Sequence, residues 1–337
     1  MTTLLFLLAC SGPTDPSAGP EPEATVDAQD LPPIEHALRT TNGLKAMEGL
    51  DLRVQSLLAN LGGLQSGRAM LLDTLSLRVS LQGRMSDIDR MFELAGDDPE
   101  LQAKALMMVH RFDEALALDP SVADSVALAR QQGLDALEAK RRAEVEANPS
   151  TITWERLADV LGAQGRTVDA DRAYAEALAA YRDVSPLTVA DIQFRRGMLW
   201  GEAGTDPERA RALYTDAVER LPGFVRAQVH LAELEHDAGD VGSAIERVRR
   251  VASAEDPEPG GKLALWLEGE EAETWKARTI ATYDALLAKH RLAFADHAAE
   301  FYLGLEDLDH ARPLAADNLA NRPTGRATEL CERAGCE

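Results

Sequence analysis

Residues 151–186 read TITWERLADVLGAQGRTVDADRAYAEALAAYRDVSP. Counting from Trp154, apolar residues fall at Trp154, Leu157, Ala158 and Leu161, the three- and four-residue spacing that marks one face of a helix. Gly165 follows, where a helix can end through the left-handed backbone conformation that glycine adopts without strain. Ala170, Tyr174, Ala177 and Leu178 then define a second amphipathic helix from about Val168 to Tyr181. The small side chains of Ala158, Ala170 and Ala177 let the two helices approach closely, while Trp154, Leu161 and Tyr174 fill the space between them.

The same register continues. In the next unit Gly197, Trp200 and Gly204 match the first helix and turn; after one inserted residue Ala210, Tyr214, Ala217, Val218 and Pro222 match the second. A third unit matches at Leu231, Ala232, Gly239, Ala244, Val248 and Ala252. Corresponding alanines recur about every 34–40 residues. On these residues the chain resembles the tetratricopeptide repeat (TPR) family, whose unit is a helix–turn–helix of roughly 34 residues. The resemblance implies an all-α, right-handed α–α superhelix, a solenoid of stacked helix–turn–helix units.

Outward from this segment the pattern loosens. Residues 34–150 read as degenerate helical repeats. Gly62-Gly63 and Gly83 act as breaks, Ser86 as an N-cap, Pro99 as a first-turn residue and Gly133 as the break in a long helical stretch from Val122 to Ala147. Three clear units occupy 151–256. Residues 257–337 read as a modified pair, a last unit and a capping helix. In that region PEPGG after Asp256 is a local breaker, short and long helices run over Lys262–Glu268 and Ala272–Lys289, and the last unit spans about Ala293 to Pro323.

The composition agrees with close-packed helices. Of 337 residues, 45% are hydrophobic but only 5% aromatic. Lys plus Arg number 35 against 57 Asp plus Glu, a formal net charge of −22, which disfavours binding to nucleic acid or to anionic headgroups.

The amino terminus is different in kind. Leu7-Leu8-Ala9-Cys10 resembles the lipobox of bacterial lipoproteins, at the end of a short apolar run from Leu4. The resemblance implies a leader over 1–9, lipidation at Cys10 and an envelope address: an outer-membrane lipoprotein facing the periplasm or the cell exterior. Residues 10–33 are rich in Pro, Ser, Gly and acids and read as a solvated tether. Membrane association is expected through that anchor alone, since no other run approaches ~20 apolar residues.

Chemistry has few stations. No G-x-x-x-x-G-K-[ST], G-x-G-x-x-G after a strand, or G-x-S-x-G is present, so no catalytic residue and no cofactor is assigned. Cys331 and Cys336 have no nearby His to complete a metal set. Two readings of that pair stand: free thiols at a loose terminus, or a disulfide closed across a helix end at Ala334-Gly335.

In TPR proteins the first helix of each unit lines a concave groove. Carried over by register, the groove positions here are Ile152, Glu155 and Asp159; Asp191, Phe194, Met198 and Glu202; and Arg226, Val229, Glu233, His236 and Asp237. Asp296 and Glu300 extend the line into the last unit. This is an acidic groove with Phe194 and Met198 as apolar anchors, suited to a basic or helical protein segment. In the other reading of Phe194 and Met198, they pack against the neighbouring unit. The expectation is a non-enzymatic protein-interaction scaffold or assembly factor. The alternative is a periplasmic binding module that holds a peptide or glycan fragment.

Overall fold

The structure, a computed structural model, describes residues 43–60, 65–202 and 205–336. The leader, Cys10, the tether, Gly62-Gly63 and Gly204 lie outside them. Among the described residues every element is helical, in seventeen α-helices and one 3₁₀ turn. The fold is the all-α solenoid of stacked helix–turn–helix units.

The clearest pair is α8 (Thr151–Ala163) and α9 (Thr167–Ala180). A capping box starts α8: the Ser150 amide donates to Thr153 Oγ1 at 3.0 Å, and the Thr153 amide donates to Ser150 Oγ at 3.4 Å. Gly165 turns the chain with φ +74°. Leu157, Ala158, Leu161, Ala170, Tyr174 and Ala177 form the core between them, joined by Val145 of α7 (Leu134–Ala147) and Ile192 of α10 (Pro186–Gly201). Helix α10 pairs with α11 (Pro207–Arg220), and a Cβ at Gly197 would fall 2.5 Å from the Tyr214 ring, so this close approach needs glycine. Helices α12 (Val225–Asp237) and α13 (Val241–Val251) close on Ala232, Ala244 and Val248.

Beyond them α14 spans Pro257–Trp266 and α15 spans Gly269–Gly304, with a kink at His290 (φ −136°, ψ 49°). The kink falls within the expected boundary between Lys289 and Ala293, where one helical segment runs on into the next. PEPGG is not a breaker: Asp256 caps α14, Pro257 occupies its first turn, and both glycines lie inside it. Helices α16 (Leu308–Asn321) and α17 (Gly325–Ala334) close the carboxyl end.

The amino-terminal part comprises α1 (Gly43–Asn60), α2 (Gln65–Gln82), α3 (Ser86–Ala95), α4 (Pro99–Met108), α5 (Phe112–Leu118) and α6 (Ala123–Ala129), with a 3₁₀ turn at Pro120–Val122. Gly133 separates α6 from α7 with φ +63°. Ser86 does not cap α3 but begins it; its hydroxyl donates to Glu255 at 2.8 Å. These helices do not extend the stack as an open arm. Met47 and Leu50 of α1 and Leu81 of α2 share one core with Phe194, Met198, Phe224 and Leu231. Val54, Leu71, Ile88 and Met91 share another with Phe294 of α15. The amino-terminal helices thus lie across the inner face of the repeats that follow them.

Candidate interaction groove

At the α8–α10 end, three of the expected groove carboxylates gather round one cation. Arg195, 5% exposed at its side chain, lies 2.7 Å from Asp191 and 3.3 Å from Asp159. The Tyr174 hydroxyl also donates to Asp159. Burial pushes Glu155 up to about 7; Arg195 pulls the other way, and the Asp191 and Asp159 carboxylates add to the rise. Burial likewise raises Asp159, against the pull of Arg195. The acidity expected here is largely internal, spent on a buried guanidinium.

The centre of the groove departs most from expectation. Phe194 is 2% exposed and Met198 8%. Phe194 packs against the rings of Phe224 (5.0 Å between centroids) and Tyr214 (5.7 Å), and Met47, Leu50 and Leu81 complete the same core. Both side chains pack within the chain, against the neighbouring unit and against α1 and α2, so as anchors for an outside partner they are corrected. The physical reason is that α1 and α2 carry apolar faces that need cover, and the inner face supplies it. Val229 is buried as well, while Ile152 is exposed.

Towards the carboxyl end the remaining positions are mostly paired. Arg226 places its guanidinium 5.2 Å from the Phe194 ring centroid. Glu233 lies 2.5 Å from Lys262 of α14 and 3.1 Å from His230. Burial alone would raise it, but Lys262 and then His230 hold it well below the usual carboxylate range. His236 stacks on Trp266 with centroids 4.6 Å apart, and Asp237 beside it is exposed. Glu202 lies 4.0 Å from Arg326 of α17, which also holds Glu300 at 2.5 Å. Asp296 is buried against Arg322 at 2.8 Å. The counter-cations Arg195, Lys262, Arg322 and Arg326 were missed from sequence. Only Arg195 left a local signal, four residues after Asp191 on the same helix.

Polar contacts seal the amino-terminal helices onto the stack. Asp89 of α3 meets Lys289 and His290 at the α15 kink, and Phe92 stacks on His290. The Asn321 side-chain amide donates to the His110 carbonyl at 3.0 Å. At the carboxyl terminus Cys331 and Cys336 are joined as a disulfide, with Cα atoms 5.1 Å apart across the left-handed turn at Gly335. Among the described residues, no helix is long and apolar enough to cross a membrane and no group of three His, Cys, Asp or Glu could hold a metal ion.

No protein-family model matches the sequence, and no curated protein matches it. Among solved structures, the chain is similar to one in the crystal structure of the APC/C hetero-tetramer Cut9–Hcn1, at 14% identity and a TM-score of 0.35 over 85% of its length; it spans 66% of that chain, just under two thirds. It is also similar to BtubC (BKLC) from P. vanneervenii, at 15% identity and a TM-score of 0.27, covering 90% of this chain and 93% of that one. Scores this low carry no functional argument.

Proposed function

We propose that this chain is a non-enzymatic protein-interaction scaffold, held in the bacterial envelope by a lipid on Cys10. The observation that carries the reading is the stack itself. Successive helix pairs present a long surface, and with its apolar centre covered from within, what remains for a partner is a mostly charged rim with Ile152 exposed on it. Asp237 is exposed there, and the side chains of Glu155, Asp191, Glu202 and His236 are half-buried. A basic segment is the partner such a rim suits, held by exposed charge rather than by an apolar knob.

Because Phe194 and Met198 are structural, substituting them would report on folding. The test is crosslinking and co-purification from intact cells with wild type and a Glu202→Lys, Asp237→Lys double variant whose circular dichroism is unchanged. The expected result is a partner recovered with wild type and lost with the variant. Identical partners from both proteins would remove the rim from the reading. Anchoring has its own test: Cys10→Ala should move the protein from the membrane to the soluble fraction and abolish labelling with palmitate. A variant that stays in the membrane fraction, from a wild type that takes up no label, overturns the anchor.

A further inference from the structure

Where the amino-terminal helices meet the inner face, they enclose a cavity of about 80 Å³. Its polar lining comes from Ser80 and His110 on one side and from Arg226, Asp256, Glu258, Tyr283, Asp296 and His297 on the other. We propose that this chamber is a binding site for a primary ammonium group.

Two atoms in the lining lack partners. His110 is 3% exposed, and its Nδ1 lies 3.1 Å from the Leu292 carbonyl oxygen. A carbonyl only accepts, so Nδ1 carries the hydrogen and Nε2 presents a bare lone pair. Among the described residues that Nε2 has no hydrogen-bond partner. Burial, and next the charge of Arg322, pull His110 down to about 3, so near neutral pH no proton fills the lone pair. Ser80, 7% exposed, also has a hydroxyl without a partner. Buried polar atoms are normally satisfied, and each exception asks for an occupant.

The chamber holds more acceptors than donors. Asp296 is already neutralised by Arg322, but among the described residues Asp256 accepts only from the Glu258 amide at 3.0 Å, and Glu258 has His297 no closer than 3.6 Å. Arg226 reaches the lining with its guanidinium also set over the Phe194 ring. Burial, then the neighbouring Glu258, push Asp256 up to about 7, against the weaker pull of the Glu258 amide, His297 and Arg226. An ammonium supplies what is missing: one positive charge and three N–H donors in a compact head. The described residues offer no set of three metal ligands, which disfavours a divalent cation. Met85, Ile88 and Phe294 give the remaining wall an apolar character that suits a short alkyl stem. The space equals roughly two or three waters, enough for a methylammonium or ethylammonium. A tetramethylammonium offers no N–H for these acceptors.

The test uses the purified full chain in phosphate buffer, because Tris is itself a primary amine. Methylammonium chloride is titrated by calorimetry and by thermal melting, against tetramethylammonium chloride at matched ionic strength. Methylammonium should bind saturably and raise Tm with concentration, and tetramethylammonium should do neither. Asp256→Asn should weaken binding about tenfold, the scale of one charge-assisted contact, and Ser80→Ala, which strands no partner of its own, by less. Affinity should fall between pH 8 and pH 6, as the ammonium must then displace the Asp256 proton while Glu258, His297, Arg226, Tyr283, neutral His110 and Asp296 with Arg322 stay around it. Equal effects of the two salts, or an Asp256→Asn protein that binds like wild type, would overturn the proposal and leave the chamber to ordered water. Nα-acetyl-lysinamide separates the sources: binding at least as tight as methylammonium assigns the ammonium to a lysine side chain, whereas binding of the small amines alone assigns it to a free amine. The rim readout above moves independently of these outcomes.

Discussion

At the residue scale, the cluster around Arg195 shows how a repeat protein stores charge inside its groove. A single guanidinium serves Asp159 and Asp191 directly, and the third carboxylate, Glu155, is left with an incomplete counter-charge. Its folded pKa of about 7 lies above the unfolded value of 4.5. A raised acid contributes stability that is whole below the unfolded value and is lost as pH rises through the folded one. Folding should therefore lose stability between about pH 4.5 and 7 through this residue. Glu155→Gln removes the penalty. Because Glu155 is partly exposed, we expect the variant to exceed wild type at pH 8 by about 1–2 kcal/mol, less than the roughly 3 kcal/mol of a fully buried group, and to match it near pH 4. Urea unfolding at the two pH values checks this; a difference that does not change with pH would mean that the substitution acts through packing.

At the scale of the element, α14 shows where local reading stops. PEPGG reads as a breaker because proline and glycine lower helix propensity. In the folded chain the proline sits in the first turn, where no amide donor is missed, and the glycines answer to distant contacts. A Cβ on Gly260 would fall 2.8 Å from Thr279 Oγ1, and one on Gly261 3.1 Å from Phe301, both on α15. Gly260→Ala should thus cost about 1–3 kcal/mol despite its better helix propensity, the scale of overpacking in a tight core. Thr279→Ala in the same chain should recover much of it, because the clash is with the hydroxyl; additive losses in a double-mutant cycle would place the strain elsewhere. The same division governs the rest of the sequence. The pairs at 151–252 were legible because spacing, turn glycine and cap all sit within one unit. Ser86 was misread because its hydroxyl is claimed by Glu255, far along the chain. In the groove, helix phase located the carboxylates, but Lys262, Arg322 and Arg326 arrive from other helices and leave no local trace.

At the scale of the whole molecule, the chain departs from an open solenoid, in which each unit touches only its neighbours. Helices α1 and α2 cover α10 and α12, and α3 to α6 reach α15 and α16 through Phe92, His110 and Arg130. Those contacts tie the first described helices to the last ones, so the amino-terminal helices are neither a free arm nor one more link in the stack. Their hold on the groove rests on few side chains. Met47, Leu50 and Leu81 each bury nearly all of their surface, and a fully buried side chain of this size contributes roughly 1.5–3 kcal/mol. Leu50→Ala should cost about 2–4 kcal/mol, from the lost burial and the cavity left against Phe194. The cost should fall unevenly. The α8–α9 pair has a separate core with no residue from α1 or α2, so its protection should survive the loosening of α1. Hydrogen exchange read by mass spectrometry is the direct measurement. Peptides covering 46–60 and 67–82 should exchange faster in the variant, while those covering 151–180 keep the wild-type rate. If both sets quicken together, the amino-terminal helices and the repeats unfold as one cooperative body, and the cover over Phe194 and Met198 is as permanent as the core beneath it.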